Sequence, residues 1–238
     1  MRPACALAGT VLEAIAGFIR PGLTTREVDE FAAAQIKARG AKSAFLGYRN
    51  YPCHTCLSVN DEVVHGLAGD RELRFGDIVS VDVGVFYRGF VGDTARTVAV
   101  GGCGVPAQRL MDVTERALYE GIAAAIPGNS VTDISRAIQN YVEGNGFSVV
   151  REFVGHGVGR VMHEEPQVPN FVDARMNHKL RAGMTLAIEP MVNAGQPAVK
   201  ILKDGWTVVT QDGSLSGPSH LPCSGGPDRA RRRSAVAG

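Results

Sequence analysis

Apolar residues return at helical spacing near the amino terminus, where Leu7, Val11, Ile15 and Phe18 mark one face of an amphipathic helix. Glu13 interrupts what would otherwise imitate the apolar stretch of a secretion signal. The pattern stops at Arg20-Pro21-Gly22, and a second helix is predicted from Thr24, whose hydroxyl and Glu27 three residues on have the form of a capping box. The same arrangement recurs. A helix through Val113, Ala117 and Ile122 stops at Ile126-Pro127-Gly128, after which Ser130 takes the cap position and Asp133 that of Glu27. Pro21 and Pro127, Gly22 and Gly128, Val28 and Ile134, Ala32 and Ile138, Ile36 and Val142, and Gly40 and Gly146 keep the same offset of 106 residues. One constant offset over so many pairs predicts a duplication.

Strand patterns follow each pair of helices, at 78–86 and 90–100 in the first half and at 148–154 and 184–192 in the second. Two halves of this kind predict an α+β architecture, with antiparallel sheets packed together, helices outside, and a pseudo-twofold cleft between the halves as the ligand site. The length of 238 residues suits this. Hydrophobic residues at 45%, charged residues at 21% and a net charge of +1 are those of an ordinary globular chain. No apolar run approaches the roughly 18 residues that span a bilayer, and the balanced charge gives no general attraction to nucleic acid or anionic lipid. Neither partner is therefore expected. Five widely spread cysteines, an odd number in a chain too large to depend on staples, point to a reducing cytoplasm.

Chemistry enters through the strands. Residues 78–86 alternate at period two, with Val79, Val81, Val83 and Val85 on one face and Asp82 with Gly84 on the other. A two-residue turn at Arg88-Gly89 would pair Asp82 with Ala95 and Asp93 with Gly84, making the two aspartates diagonal neighbours about 7–8 Å apart. A bulged turn would put them on opposite faces, and a solvated outer face would account for both. Glu189 is a single carboxylate in a strand that reads as buried, so it should face a cation, a basic partner or a wet cleft. His156 lies between small residues in Gly155-His156-Gly157-Val158-Gly159. Two aspartates, a glutamate and a histidine suit a divalent first-row metal. Rival motifs fail: Gly155 to Gly159 is not GxGxxG, and His163-Glu164-Glu165-Pro166-Gln167 is not HExxH. Cys53-His54-Thr55-Cys56 lacks a second CxxC, so a buried or pocket role suits its thiols at least as well as redox chemistry.

These residues together resemble the type I methionine aminopeptidases, metallopeptidases with the duplicated pita-bread (creatinase/aminopeptidase) fold. The resemblance rests on Gly47-Tyr48 to Asn60, Val63-Val64-His65-Gly66, Asp82 to Asp93-Thr94, the stretch Gly155 to Arg160, His163-Glu164-Glu165-Pro166, Ile188-Glu189-Pro190-Met191-Val192-Asn193-Ala194-Gly195 and Lys203-Asp204-Gly205-Trp206-Thr207. It implies one catalytic domain over 1–216, with halves about 1–105 and 106–216. It implies that Asp82, Asp93, His156 and Glu189 ligate two divalent ions (Co, Mn, Fe or Zn), with Asp93 bridging. By the same resemblance His65 and His163 contact the peptide and assist catalysis, and Tyr51, Cys56, Met162 and Trp206 form the methionine pocket, where sulfur and aromatic edges suit a thioether. The implied reaction is removal of the initiator methionine from nascent polypeptides with a small second residue, through a metal-bridged hydroxide. A cytoplasmic monomer without an amino-terminal zinc-finger extension is expected.

The resemblance breaks after Ser214-Leu215-Ser216, where the family places a second bridging glutamate in a Glu-His-Thr segment. Here Gly217-Pro218-Ser219-His220-Leu221-Pro222 follows, and Glu189 is the last glutamate. Aligned without a gap, His220 takes the glutamate's place; shifted by one residue, Ser219 does. Residues 217–238 hold prolines, glycines and a run of arginines over 229–233 without a period-two pattern, so they are expected to form a disordered basic tail and no closing strand. That tail offers a ribosome contact. The second metal site is expected to be weakened, and a non-catalytic pita-bread protein that binds peptide or ribosome is the alternative function.

Overall fold

A computed structural model describes residues 1–224, with the backbone alone for 221–224. The first half contains α1 (Arg2–Phe18), α2 (Thr25–Ala38), β1 (Lys42–Ser43), β2 (Cys56–Val59), β3 (Glu62–Val64), β4 (Ile78–Tyr87) and β5 (Phe90–Ala99). The second contains α3 (Val105–Ala124), α4 (Val131–Gly144), β6 (Ser148–Val149), β7 (Gly155–Gly157), β8 (Glu164–Val168), β9 (Thr185–Ile188), β10 (Val192–Asn193), β11 (Val199–Ile201), β12 (Val208–Thr210) and β13 (Leu221–Ser224). All the ladders are antiparallel, as expected.

The duplication is visible in local chemistry. The helices α2 and α4 are each 14 residues long and open on capping boxes at Thr24/Glu27 and Ser130/Asp133. Before each cap a glycine turns the chain in the left-handed region, Gly22 at φ 88° and Gly128 at φ 96°, a conformation that costs glycine little. Gly22 N–H donates to the Leu73 carbonyl at 2.8 Å, and Gly128 N–H to the Leu180 carbonyl at 3.2 Å, the same stitch in each half.

Each half has its own apolar core. Val11, Ile15, Val28, Val79 and Val81 pack in the first, and Leu110, Leu118, Ile134, Ile138 and Ile188 in the second. Burial of Val11 and Ile15, with Leu7 and Phe18 partly buried beside them, confirms the amphipathic amino-terminal helix. That helix lies close on β5, where a Cβ at Gly92 would collide with the Ala4 carbonyl.

The segment after Ser216 departs from expectation. His220 and Ala95 exchange two backbone hydrogen bonds of 3.0 Å each, and β13 then pairs with β9 from Leu221↔Ile188 to Ser224↔Thr185. A short piece of the segment therefore does close the sheet, and joins the sheet of one half to that of the other. Absence of side-chain alternation does not forbid this, because ladder bonds are made by the backbone. Pro222 is tolerated because β13 is terminal in its sheet order, β13-β9-β7-β8. The arginine run at 229–233 lies outside the described residues. Among the described residues no helix is long and apolar enough to cross a membrane.

Candidate metal centre and substrate cavity

The hairpin of β4 and β5 turns on Arg88 and Gly89, both at positive φ (51° and 79°), and has the unbulged register in which Asp82 faces Ala95 and Asp93 faces Gly84. The pleat sends the four valines into the first core and both carboxylates to the opposite face. Glu189 follows directly on β9, and its backbone carbonyl accepts from the Asn170 side-chain amide at 2.7 Å.

His156 lies on β7 beside Ala187 of β9. The small residues around it have a specific cause: a Cβ at Gly155 would strike the Ala187 carbonyl, and one at Gly157 the Glu165 carbonyl. Glycine lets the neighbouring strands close tightly on both sides of the histidine. Its Nδ1 is 2.8 Å from the Gly157 carbonyl, which fixes Nδ1 as the donor and leaves Nε2 for the site. That Nε2 lies 3.1 Å from Glu189 and 3.6 Å from Asp93.

The imidazole of His220 enters from the other side, its Nε2 3.2 Å from Asp93 Oδ1 and 3.5 Å from Asp82 Oδ1. The donor atoms form two groups, Asp82/Asp93/His220 and Asp93/His156/Glu189, each within 4.8 Å, with Asp93 common to both.

Electrostatics here demand positive charge. Burial, with the Asp93 and Glu189 charges, pushes the Asp82 carboxyl well above its usual range against the pull of His220. Burial alone would raise Asp93 too, but the His220 charge and hydrogen bond, helped by His156, hold it low. Burial disfavours both imidazolium ions, yet the hydrogen bond and charge of Glu189 lift His156 to about 9, and Asp82, Glu189 and Asp93 lift His220 to about 10. Asp82 Oδ1 is buried and accepts no hydrogen bond. Three carboxylates with an unsatisfied oxygen and two imidazoles are a donor set that fits divalent first-row cations.

Above this cluster opens a cavity of about 260 Å³, lined by all ten residues that the resemblance names as ligands, catalytic histidines or methionine pocket. Asp82, Asp93, His156 and Glu189 lie with Tyr51, Cys56, His65, Met162, His163 and Trp206 around one space. Tyr51 hydroxyl donates to the Gly66 carbonyl at 2.9 Å, and its ring meets Trp206 edge-on at 5.0 Å. Cys56 is buried, its thiol pushed up by burial and by Asp82, and so presents an uncharged sulfur. His65 sits at φ 59°, a strained conformation for a residue with a side chain, and stands edge-on to Phe153 at 5.5 Å. His163, on the open rim, has its pKa lowered to about 4 by burial and the His156 charge, and its Nδ1 is 2.7 Å from the Tyr48 hydroxyl.

Sequence reasoning assigned no part to Tyr48, Phe153 or Phe45, all in the cavity wall. Tyr48 lies in the stretch Gly47 to Asn60, but its partner His163 is 115 residues away. No local spacing encodes such a contact.

The chain matches the model of metallopeptidase family M24 over residues 1–214. It belongs to this family, among the type I methionine aminopeptidases. It is similar to a methionine aminopeptidase of Clostridium perfringens, 51% identical over 91% of this chain and 87% of that protein. To methionine aminopeptidase 1 of Bacillus subtilis it is 47% identical over 90% and 86%. The methionine aminopeptidase structure from Rickettsia prowazekii superposes with a TM-score of 0.92 at 38% identity, covering 94% of this chain and 91% of that one. A prolidase from Pyrococcus furiosus, at TM-score 0.71 and 22% identity, shares the fold alone. The family's pita-bread fold is therefore the duplicated α+β arrangement described above.

Proposed function

We propose that this metal-dependent aminopeptidase removes the initiator methionine from nascent polypeptides whose second residue is small, with Asp82, Asp93, His156 and Glu189 as ligands of two divalent cations. The observation that carries this reading is the joining, in one cavity, of the carboxylate–imidazole cluster to a wall of sulfur and aromatic groups of thioether character. Divalent cations held by these residues would supply Lewis acidity and would make water more acidic at neutral pH. Mn, Fe, Co and Zn all suit the mixed oxygen and nitrogen donors.

The chain's own residues position the peptide. Tyr51, Cys56, Met162 and Trp206 receive the methionine side chain, excluding water from it. His163 is neutral near pH 7, so its ring can donate one hydrogen bond to the peptide while Nδ1 remains engaged with Tyr48. His65, its imidazolium disfavoured by burial, offers a second neutral ring across the cavity. A protein that only bound peptide would need none of the four ligands, and the non-catalytic alternative is not favoured.

The test is release of free methionine from a Met-Gly-Met peptide by metal-stripped protein supplied with Mn or Co. Release should appear with metal and fall to background in Asp93→Ala. No release from folded protein under any of these metals would overturn the reading.

A further inference from the structure

We propose that His220 is a metal ligand, completing with Asp82 and Asp93 a second donor triad equivalent to that of Asp93, His156 and Glu189. The proposal rests on the metal-dependent reading above and goes beyond it, because that reading uses only the first four ligands. Each triad has one carboxylate of its own, one imidazole of its own, and Asp93 in common.

Three observations carry it. The imidazole is held in place by a rigid backbone: His220 and Ala95 exchange two hydrogen bonds, Thr94 Oγ1 donates to the His220 carbonyl at 3.1 Å, and Thr97 Oγ1 donates to the Pro218 carbonyl at 2.7 Å. Ala95 is itself the partner of Asp82 across the β4–β5 ladder, so the bridge delivers His220 to the strand position beside both aspartates. Finally, Asp82 Oδ1 is buried without a hydrogen bond, and at 3.5 Å the His220 Nε2 lies too far to provide one. Two donors converging without bonding each other leave room for an ion between them.

An imidazole nitrogen has one lone pair and serves one ion. Asp93 alone can then link the two sites, and loss of His220 should empty one site and spare the other. The rival role is a counter-ion, in which a protonated His220 only neutralises Asp93.

The two roles separate in a titration of metal-stripped, full-length protein with Co(II), read by calorimetry, by metal analysis and by hyperfine-shifted imidazole resonances. The wild-type chain is expected to bind two ions and to show shifted signals from two histidines. His220→Gln should bind one ion at unchanged affinity and the second at least about 100-fold more weakly, with one histidine's signals remaining. His220→Glu should restore two. A wild-type chain that binds a single ion, or a folded His220→Gln that binds two at wild-type affinity, overturns the proposal. If the variant does not fold, signals from only one histidine in the wild type do the same. A wild type that binds no ion at all sinks the parent reading as well.

Discussion

Tyr48 shows how much one hydroxyl can contribute when it holds a ring at the mouth of an active site. The Tyr48 hydroxyl lies 2.7 Å from His163 Nδ1, and in the tautomer with Nδ1 as the acceptor Nε2 carries the proton for the peptide contact proposed above. Removing that bond leaves the ring free to choose the other tautomer. Tyr48→Phe should therefore lower kcat by roughly fivefold, equivalent to about 1 kcal/mol, with KM changed little. Steady-state kinetics on a methionyl peptide checks this, and an unchanged kcat would remove Tyr48 from the positioning of His163. Glu189 could be picked out in the sequence because a charge in a strand that reads as buried is costly and needs a reason. Tyr48 could not be, since a tyrosine beside a glycine carries no such contradiction.

At the level of elements, the two capping boxes are the clearest survivors of the duplication. Glu27 and Asp133 each accept hydrogen bonds from the backbone N–H and hydroxyl of their cap residue, which lowers both carboxyl pKa values. A carboxylate whose folded pKa is depressed contributes stability that is fully present above its unfolded value. Here those values are 4.5 and 3.8, so the contribution fades as pH falls below them towards the folded values. The double variant Glu27→Gln/Asp133→Asn keeps the acceptors but does not titrate, and should show a shallower loss of Tm on acidification than the wild type. Parallel acid limbs in the two proteins would mean that the caps do not contribute. These elements were legible from sequence because caps, Pro-Gly stops and the 106-residue offset are all local.

On the scale of the whole molecule, the decisive element is the short segment that crosses between the halves. It pairs through Ala95 with the β4–β5 hairpin and through β13 with β9, and it carries His220 into the metal centre. A chain stopped after Ser216 should lose one metal ion and the methionine-releasing activity. Losing several ladder bonds at about 1 kcal/mol each should also lower its Tm by roughly 10 °C, at about 2–4 °C per kcal/mol for a domain of this size. Calorimetry and metal analysis of the truncated chain check both effects, and full activity would show the crossing segment to be dispensable.

The sequence left the hairpin register of Asp82 and Asp93 open between an unbulged and a bulged turn, but by itself determined the duplicated α+β plan and, through the family's motifs, ten of the residues around the cavity. It could do so because helix caps, turn residues and period-two alternation are short-range, and because the motifs run in the family's order along the chain. Only the tertiary structure decided that residues 220–224 close the sheet, that the glycines beside His156 serve the packing of neighbouring strands, and that His220 shares Asp93 with His156. Those facts depend on backbone hydrogen bonds and close contacts between strands, some of them between residues more than a hundred positions apart, such as Ala95 with His220. Side-chain periodicity does not record such contacts.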